Sequence, residues 1–119
     1  MTIPENILGL PVAGIGDNAF VGKKLVSFTA SGIYEVKRNV FFGCITLTTV
    51  ILSDQIMYIG SRAFAEMDNL DLVVIFSKQT VFADYAFSGS TPVILYPHDS
   101  YAKQYAQEHG LRCVEIVPK

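Results

Sequence analysis

The sequence predicts a solenoid of about four coils, each ~23 residues long with a short helical turn, closed by one C-terminal helix and a final strand. Three observations carry this reading. First, a motif ending in Ala-Phe or a close variant recurs: IGDNAF from Ile15 to Phe20, VKRNVF from Val36 to Phe41, IGSRAF from Ile59 to Phe64, and FADYAF from Phe82 to Phe87. Its phenylalanines lie 21, 23 and 23 positions apart. Second, other residues keep this phase. Gly22, Gly43 and Gly89 follow their Phe by two, with Glu66 the exception, and Leu47 and Leu70 follow theirs by six. Leu25 follows Phe20 by five, so the first coil is one residue short. Third, Leu47–Leu52 and Leu70–Ile75 read as short β-type stretches, and Ile33 or Ile56 precedes the next motif by three.

A single coil cannot bury its own apolar face, so neighbours must stack and equal-phase residues become ladders. From the N-terminus, residues 1–14 form a cover in which Ile3, Ile7, Leu10 and Val12 shield the first coil. Residues 15–97 carry the repeats. Ile15, Phe20, Leu25 and Phe28 point inward in the first coil, and Ile59, Phe64, Leu70, Val73 and Ile75 in the third. The small residues Ala19, Ala63 and Ala86 let each turn approach the core, and the glycine after Phe supplies a bend with positive φ. Residues 98–119 form a cap. Ser100 is a favourable N-cap and Gly110 a favourable stop, while Ala102 with Ala106 and Tyr101 with Tyr105 fall at i, i+4. Cys113–Val117 then reads as a closing strand. The N-terminal cover is the less complete end, and the chain is expected to begin inside a longer protein.

These residues resemble the BspA-like leucine-rich repeats, whose unit reads roughly Ile-Gly-x-x-Ala-Phe-x-x-Cys-x-x-Leu-x-x-Val-x-(Ile/Leu). The segments IGSRAFAEMDNLDLVVI and GCITLTTVILSDQIMYIG match closely, and Cys44 takes the family's Cys position. IPENILGLPVAGIGDNAF is similar to the opening of a first repeat, and SYAKQYAQEHGLRCVEI to a C-terminal cap. Departures are local: Lys37 for Gly and Val40 for Ala, Ser53-Asp54 where Pro is common, Met67 for Cys, and Ala83 for Gly. The resemblance implies a leucine-rich-repeat solenoid, a right-handed, β-rich β/α superhelix. It also implies a bacterial surface or secreted setting and adhesion to host or neighbouring-cell proteins.

Composition excludes several other classes. Nine Lys and Arg against eleven Asp and Glu give a net charge of -2, which leaves no broad basic face for nucleic acid. The longest apolar run, Leu72–Phe76, is far below the ~20 residues of a membrane helix, so no membrane insertion is expected. No basic segment leads an apolar core at the N-terminus, so the chain as given carries no export signal and would be cytoplasmic if complete. Two cysteines make no disulfide framework, and two distant histidines make zinc improbable. Half the residues are apolar and 17% charged, a lean polar surface that ladder positions partly account for.

No catalytic, cofactor-binding or metal-ligating set emerges, and neither an enzyme nor a cofactor is expected. His98, Asp99 and Ser100 hold the residue types of a hydrolytic triad, but three consecutive residues cannot converge as base, orienter and nucleophile. They read as a turn into the helix, and His109 as a surface residue at its C-terminus. Gly14-Ile-Gly16 lacks the third glycine and the βαβ context of a nucleotide fingerprint. Glu66, Asp68 and Asp71 read as a solvated bend, since no loop of alternating oxygen ligands surrounds them. Cys44 and Cys113 read as structural.

What remains is a surface. With Leu47, Val50 and Leu52 inward, Thr48, Thr49 and Ile51 face outward, and the next coil presents Asp71, Leu72, Val74 and Phe76. Ile51, Leu72 and Val74 make an apolar cluster on a face that is polar in an ordinary half-exposed sheet, which marks a candidate protein-binding patch. That reading requires Leu72 and Val74 to be uncovered by their own chain. The expected function is a non-enzymatic protein–protein interaction module. The alternatives are a structural spacer or capping fragment of a larger protein, or an accessory domain of an enzyme whose catalytic part is absent.

Overall fold

The computed structural model describes residues 1–3, 6–7 and 10–117, with the side chains of residues 4–11 outside that description. The chain opens with β1 (Thr2–Ile3), β2 (Asn6–Ile7), β3 (Leu10–Pro11) and β4 (Gly14–Ile15). Then follow β5 (Ser27–Ala30), β6 (Glu35–Val36), β7 (Thr49–Leu52), β8 (Tyr58–Ile59), β9 (Leu72–Ile75) and β10 (Val81–Phe82). The chain closes with β11 (Val93–Pro97), α1 (Tyr101–Glu108) and β12 (Cys113–Ile116).

Because each coil returns the chain to the side it left, equal-phase segments lie side by side in the same direction. Six strands form one sheet in the order β1-β5-β7-β9-β11-β12, every pair parallel. Its register aligns Phe28 with Val50, Val50 with Val73, and Val73 with Ile94. The stack therefore makes about five turns, more than the four that the phenylalanines count, since the segments before the first motif and after the helix each add a strand. A second parallel sheet, β10-β8-β6-β4, collects the residues at the start of each motif: Ile15, Val36, Ile59 and Phe82.

Between the two sheets runs a column of phenylalanines. Phe20 stacks on Phe41 at 5.6 Å, Phe41 on Phe64 at 5.3 Å and Phe64 on Phe87 at 5.2 Å, with interplanar angles of 10°, 14° and 12°. Phe28 meets Phe41 edge-on at 4.7 Å. Ile33, Val36, Leu47, Val50, Leu52, Ile56, Ile59, Val73 and Ile75 are fully buried around the column. Ala63 and Ala86 are buried as expected, whereas Ala19 is exposed, since among the described residues no turn stacks on the N-terminal side of its own. Of the expected N-terminal cover, Ile3 and Val12 pack against the core, while the side chains of Ile7 and Leu10 lie outside the described residues.

The expected helical turns at each Phe are runs of consecutive hydrogen-bonded turns, and they are sewn together between coils. The N–H of Phe20 donates to Val40, that of Phe41 to Ala63 and that of Phe64 to Ala86, at 2.8–2.9 Å. Two residues on, Gly22 donates to Phe42, Gly43 to Ala65 and Glu66 to Ser88. The bend needs left-handed backbone just after each Phe, and Gly22, Gly43 and Gly89 adopt φ of 66°, 71° and 76°. Glu66 adopts the same conformation at φ 55°, where its Cβ crowds its own main chain. Glu66→Gly is expected to raise stability by about 0.5–1 kcal/mol, the relief of αL strain exceeding the added chain entropy. Urea unfolding checks this, and a lowered midpoint would contradict it.

At the C-terminus α1 packs Ala102 and Ala106 into the core and lays Tyr105 on Phe82 at 4.4 Å, ending the aromatic column. Its end is closed by main-chain bonds from Leu111 N–H to Ala106 and Gly110 N–H to Gln107, a Schellman pattern. Ser100 holds the N-cap position, but contrary to expectation its hydroxyl makes no capping bond and is buried without a partner.

Candidate protein-binding face

The outer surface of the six-stranded sheet is built from the residues that alternate with the core ladders. One row crosses it in register: Thr2, Thr29, Ile51, Val74, Leu95 and Val114. A second runs Ser27, Thr49, Leu72 and Val93. The side chains change character along each row, hydroxyl-bearing near the N-terminus and aliphatic from β7 or β9 onward. The apolar cluster expected from two coils is thus the start of a longer patch.

Of the residues singled out in the sequence, Thr49, Ile51 and Leu72 lie on this surface and are half-buried. Val74 corrects the expectation: it is only 7% exposed. It sits between Ile51 and Leu95 in the same row, and these neighbours close over it. Leu72 keeps part of its surface open. Thr48 and Asp71 stand one residue ahead of β7 and β9, where the Thr48 hydroxyl donates to the Val26 carbonyl at 3.2 Å and Asp71 is exposed. Phe76, just past β9, is 46% exposed.

Val93, Leu95 and Val114 belong to the same patch and were not legible at the motif's phase. Val50 and Val73 follow their Phe by nine positions, but Ile94 follows Phe87 by seven, so the fourth coil reaches its strand two residues early. The usable signal was local: Val93-Ile94-Leu95-Tyr96 alternates half-buried with buried.

The remaining candidate groups are dispersed. His98 holds Glu115 through Nδ1 at 3.1 Å and Asp99 through Nε2 at 3.3 Å, so both ring nitrogens face carboxylates and neither faces the buried Ser100 hydroxyl. His109 Nδ1 lies 2.9 Å from the Tyr105 carbonyl. Glu66 leans over Gly89, and among the described residues no three His, Cys, Asp or Glu side chains come together as metal ligands. Gly14-Ile15 is a strand leading into a turn rather than a helix. Among the described residues no helix is long and apolar enough to cross a membrane.

Cys44 is buried, and its thiol donates to the Phe20 carbonyl at 2.9 Å. Ser90, equally three residues after its Phe, repeats the bond in the fourth coil, donating to the Phe64 carbonyl at 2.6 Å. Burial pushes the Cys44 thiol upward, and the main chain of Lys23 and Gly22 pulls it back less strongly, so the thiolate a nucleophile needs is disfavoured. Burial raises the Tyr105 phenol as well. Both groups hold their protons to higher pH folded than unfolded, so the folded state binds more protons in alkali and stability falls as pH rises. Their contribution is complete only below the ordinary thiol value of about 8.5 and is lost as pH climbs from there through the raised folded values. Melting temperatures flat from about pH 7 to 8 and falling above that range are expected. A rise with alkali would contradict the assignment.

Comparison with known proteins agrees with this architecture. A family model described as BspA type leucine rich repeat region matches residues 2–94 in six copies. No curated protein and no solved structure matches the chain.

Proposed function

The chain belongs to the BspA-type leucine-rich repeat family, and from that premise we propose that it is a non-enzymatic protein-interaction module of a bacterial surface or secreted protein, acting in adhesion to other cells. Repeats of this kind generally mediate protein–protein contacts. One observation supports the reading: the outer sheet face concentrates Ile51, Leu72, Val93, Leu95 and Val114 where a solvated sheet of this size would carry polar groups. We place the contact on Thr49, Ile51 and Leu72 with those neighbours, with Thr48 and Asp71 at its rim and Val74 as support beneath it.

Area limits the affinity. Six strands ~4.8 Å apart and about five residues at ~3.3 Å each give a face of roughly 29 by 17 Å, or about 480 Å² in projection. A standard interface removes about 800 Å² per partner, so this face binds weakly alone and gains strength from flanking turns or from many copies on one surface.

Leu72→Asp places a charge in the centre of the patch. Screened side by side on an array of extracellular proteins, the parent chain should capture a partner and Leu72→Asp should lose it by about tenfold or more, as expected for an anchor at a contact centre. A control at Lys24, which is exposed and belongs to neither row of the face, is Lys24→Glu, and it should bind as the parent does. Equal binding by Leu72→Asp would remove the face from the proposal, and no capture by any variant would favour a structural spacer.

A further inference from the structure

The six-stranded sheet ends in two unlike edges. β1 at one edge is two residues long, whereas β12 at the other runs Cys113–Ile116 and, among the described residues, has β11 as its one neighbour in the sheet. The Ile94 N–H donates to the Arg112 carbonyl at 2.9 Å, and the register sets Val114 beside Leu95. A residue in an extended strand sends its N–H and C=O to the same side, and successive residues alternate. Arg112, Val114 and Ile116 therefore direct their main-chain groups at β11, while Cys113, Glu115 and Val117 direct theirs at the open edge. Among the described residues no main-chain group bonds to them there. The edge is also the apolar end of the outer row that begins at Thr2, and Val114 is 52% exposed on it. An open strand of this length is a ready surface for pairing with another chain.

We propose that β12 pairs antiparallel with β12 of a second copy of the chain, about a two-fold axis normal to the sheet at Val114, so that two chains share one sheet and one continuous outer face. Charge and existing bonds select this register. Centred on Val114, the pairing sets Cys113 opposite the second copy's Glu115 and Arg112 opposite its Ile116, so no like charges meet. Every outward N–H and C=O of Cys113 and Glu115 then has a partner. Centred on Glu115, it would oppose two carboxylates. Centred on Cys113, it would need the Leu111 N–H, which already donates to Ala106 at 2.8 Å. In the selected register Val114 packs on its own copy, and Ile116 lies along the Arg112 stem. A two-fold normal to the sheet keeps both outer faces on the same side. One face projects about 480 Å² and two about 960 Å², which passes the ~800 Å² per partner of a standard interface. The aliphatic ends of both copies meet at the centre of the joint face. That widening of the contact rests on the adhesive function proposed above, whereas the pairing itself does not. Head-to-tail addition through β1 would engage only Thr2–Ile3 and would not close.

A short strand buries little area, so the pair is reversible. Sedimentation velocity of the full chain should move from monomer at about 10 µM toward dimer at about 1 mM and stop there. Glu115→Pro removes an outward N–H without touching the ladder to β11, and it should weaken pairing about tenfold or more at an unchanged melting temperature. Glu115→Gln keeps that donor and should pair within about threefold of the parent. Cross-linking reads the register. In a Cys113→Ser background, which leaves only the buried Cys44, Val114→Cys should oxidise to a linked dimer about tenfold faster than Val117→Cys. Val114 meets its own copy across a non-hydrogen-bonded pair with Cα atoms about 4.5 Å apart, within disulfide reach, and Val117 does not. Leu72→Asp lies two strands from the edge and should pair as the parent does, so capture lost with pairing intact strikes the adhesive face and spares the dimer. The dimer is overturned by a monomer at millimolar concentration, by growth past two chains, by pairing that survives Glu115→Pro, or by equal cross-linking of the Val114→Cys and Val117→Cys variants.

Discussion

Phe64→Ala is expected to cost about 3–5 kcal/mol, a large part of the 5–15 kcal/mol that holds a domain of this size together. Phe64 is fully buried and has stacked rings on both faces, Phe41 at 5.3 Å and Phe87 at 5.2 Å. Removing it opens a cavity in mid-column and breaks two aromatic pairs, each worth about 0.5–1.5 kcal/mol beyond its buried area. The surrounding turns cannot collapse into the gap, because the bonds from Phe41 to Ala63 and from Phe64 to Ala86 fix the distance between coils. A stack of repeats gains most of its stability from neighbour contacts, so loss at the centre also uncouples the two halves. Urea unfolding should show a lower midpoint and a broader transition. Phe20→Ala is the control: Phe20 is half-buried at the open end, with Phe41 stacked on only one face. It should cost about half as much and leave the transition sharp. Equal costs at the two positions would mean that the column is not what couples the coils.

The periodicity made the repetitive part of this fold legible. Phase alone places Phe41, Leu47, Val50, Ile56, Ile59 and Phe64 in the core, and all are fully buried, because a ladder position is set by its own coil and the next, not by distant contacts. What the phase did not show are features that depend on an end or on a slip. Ala19 has the motif's residue without its environment, and Glu66 takes the glycine backbone without being glycine. The second sheet, from Ile15 to Phe82, is made of two-residue strands too short to leave a pattern of their own.

The candidate face was legible in its first half for the same reason. Thr49, Ile51 and Leu72 follow from alternation within coils of equal length. Leu95 and Val114 required knowing that the fourth coil is short and that a strand beyond the helix rejoins the sheet beside β11. The burial of Val74 is a property of three strands at once, Ile51 and Leu95 closing on it from either side, and no single strand's pattern contains it.

Gly60→Ala and Gly16→Ala, the same change at the same phase of two motifs, are expected to act in opposite directions. A Cβ on Gly60 would lie 2.7 Å from the Lys37 carbonyl carbon and 2.8 Å from the Arg38 nitrogen, both main-chain atoms that cannot swing aside. The Gly60 N–H also donates to Val36 at 2.8 Å, which holds the two coils at that separation. Relief therefore requires the coils to part, stretching the bond between them and loosening Phe41 against Phe64. Motifs two and four carry Lys37 and Ala83 at this phase, so the fold admits a side chain there in other coils, and the cost should be that of overpacking, about 1–3 kcal/mol. Among the described residues Gly16 has nothing within 4 Å of its added Cβ, and its φ lies outside the left-handed region. There alanine only restricts the unfolded chain, and a gain of about 0.4–1 kcal/mol is expected. Paired urea unfolding of the two variants measures the difference. Equal effects would show that the approach of Gly60 to the second coil does not limit how closely the repeats pack.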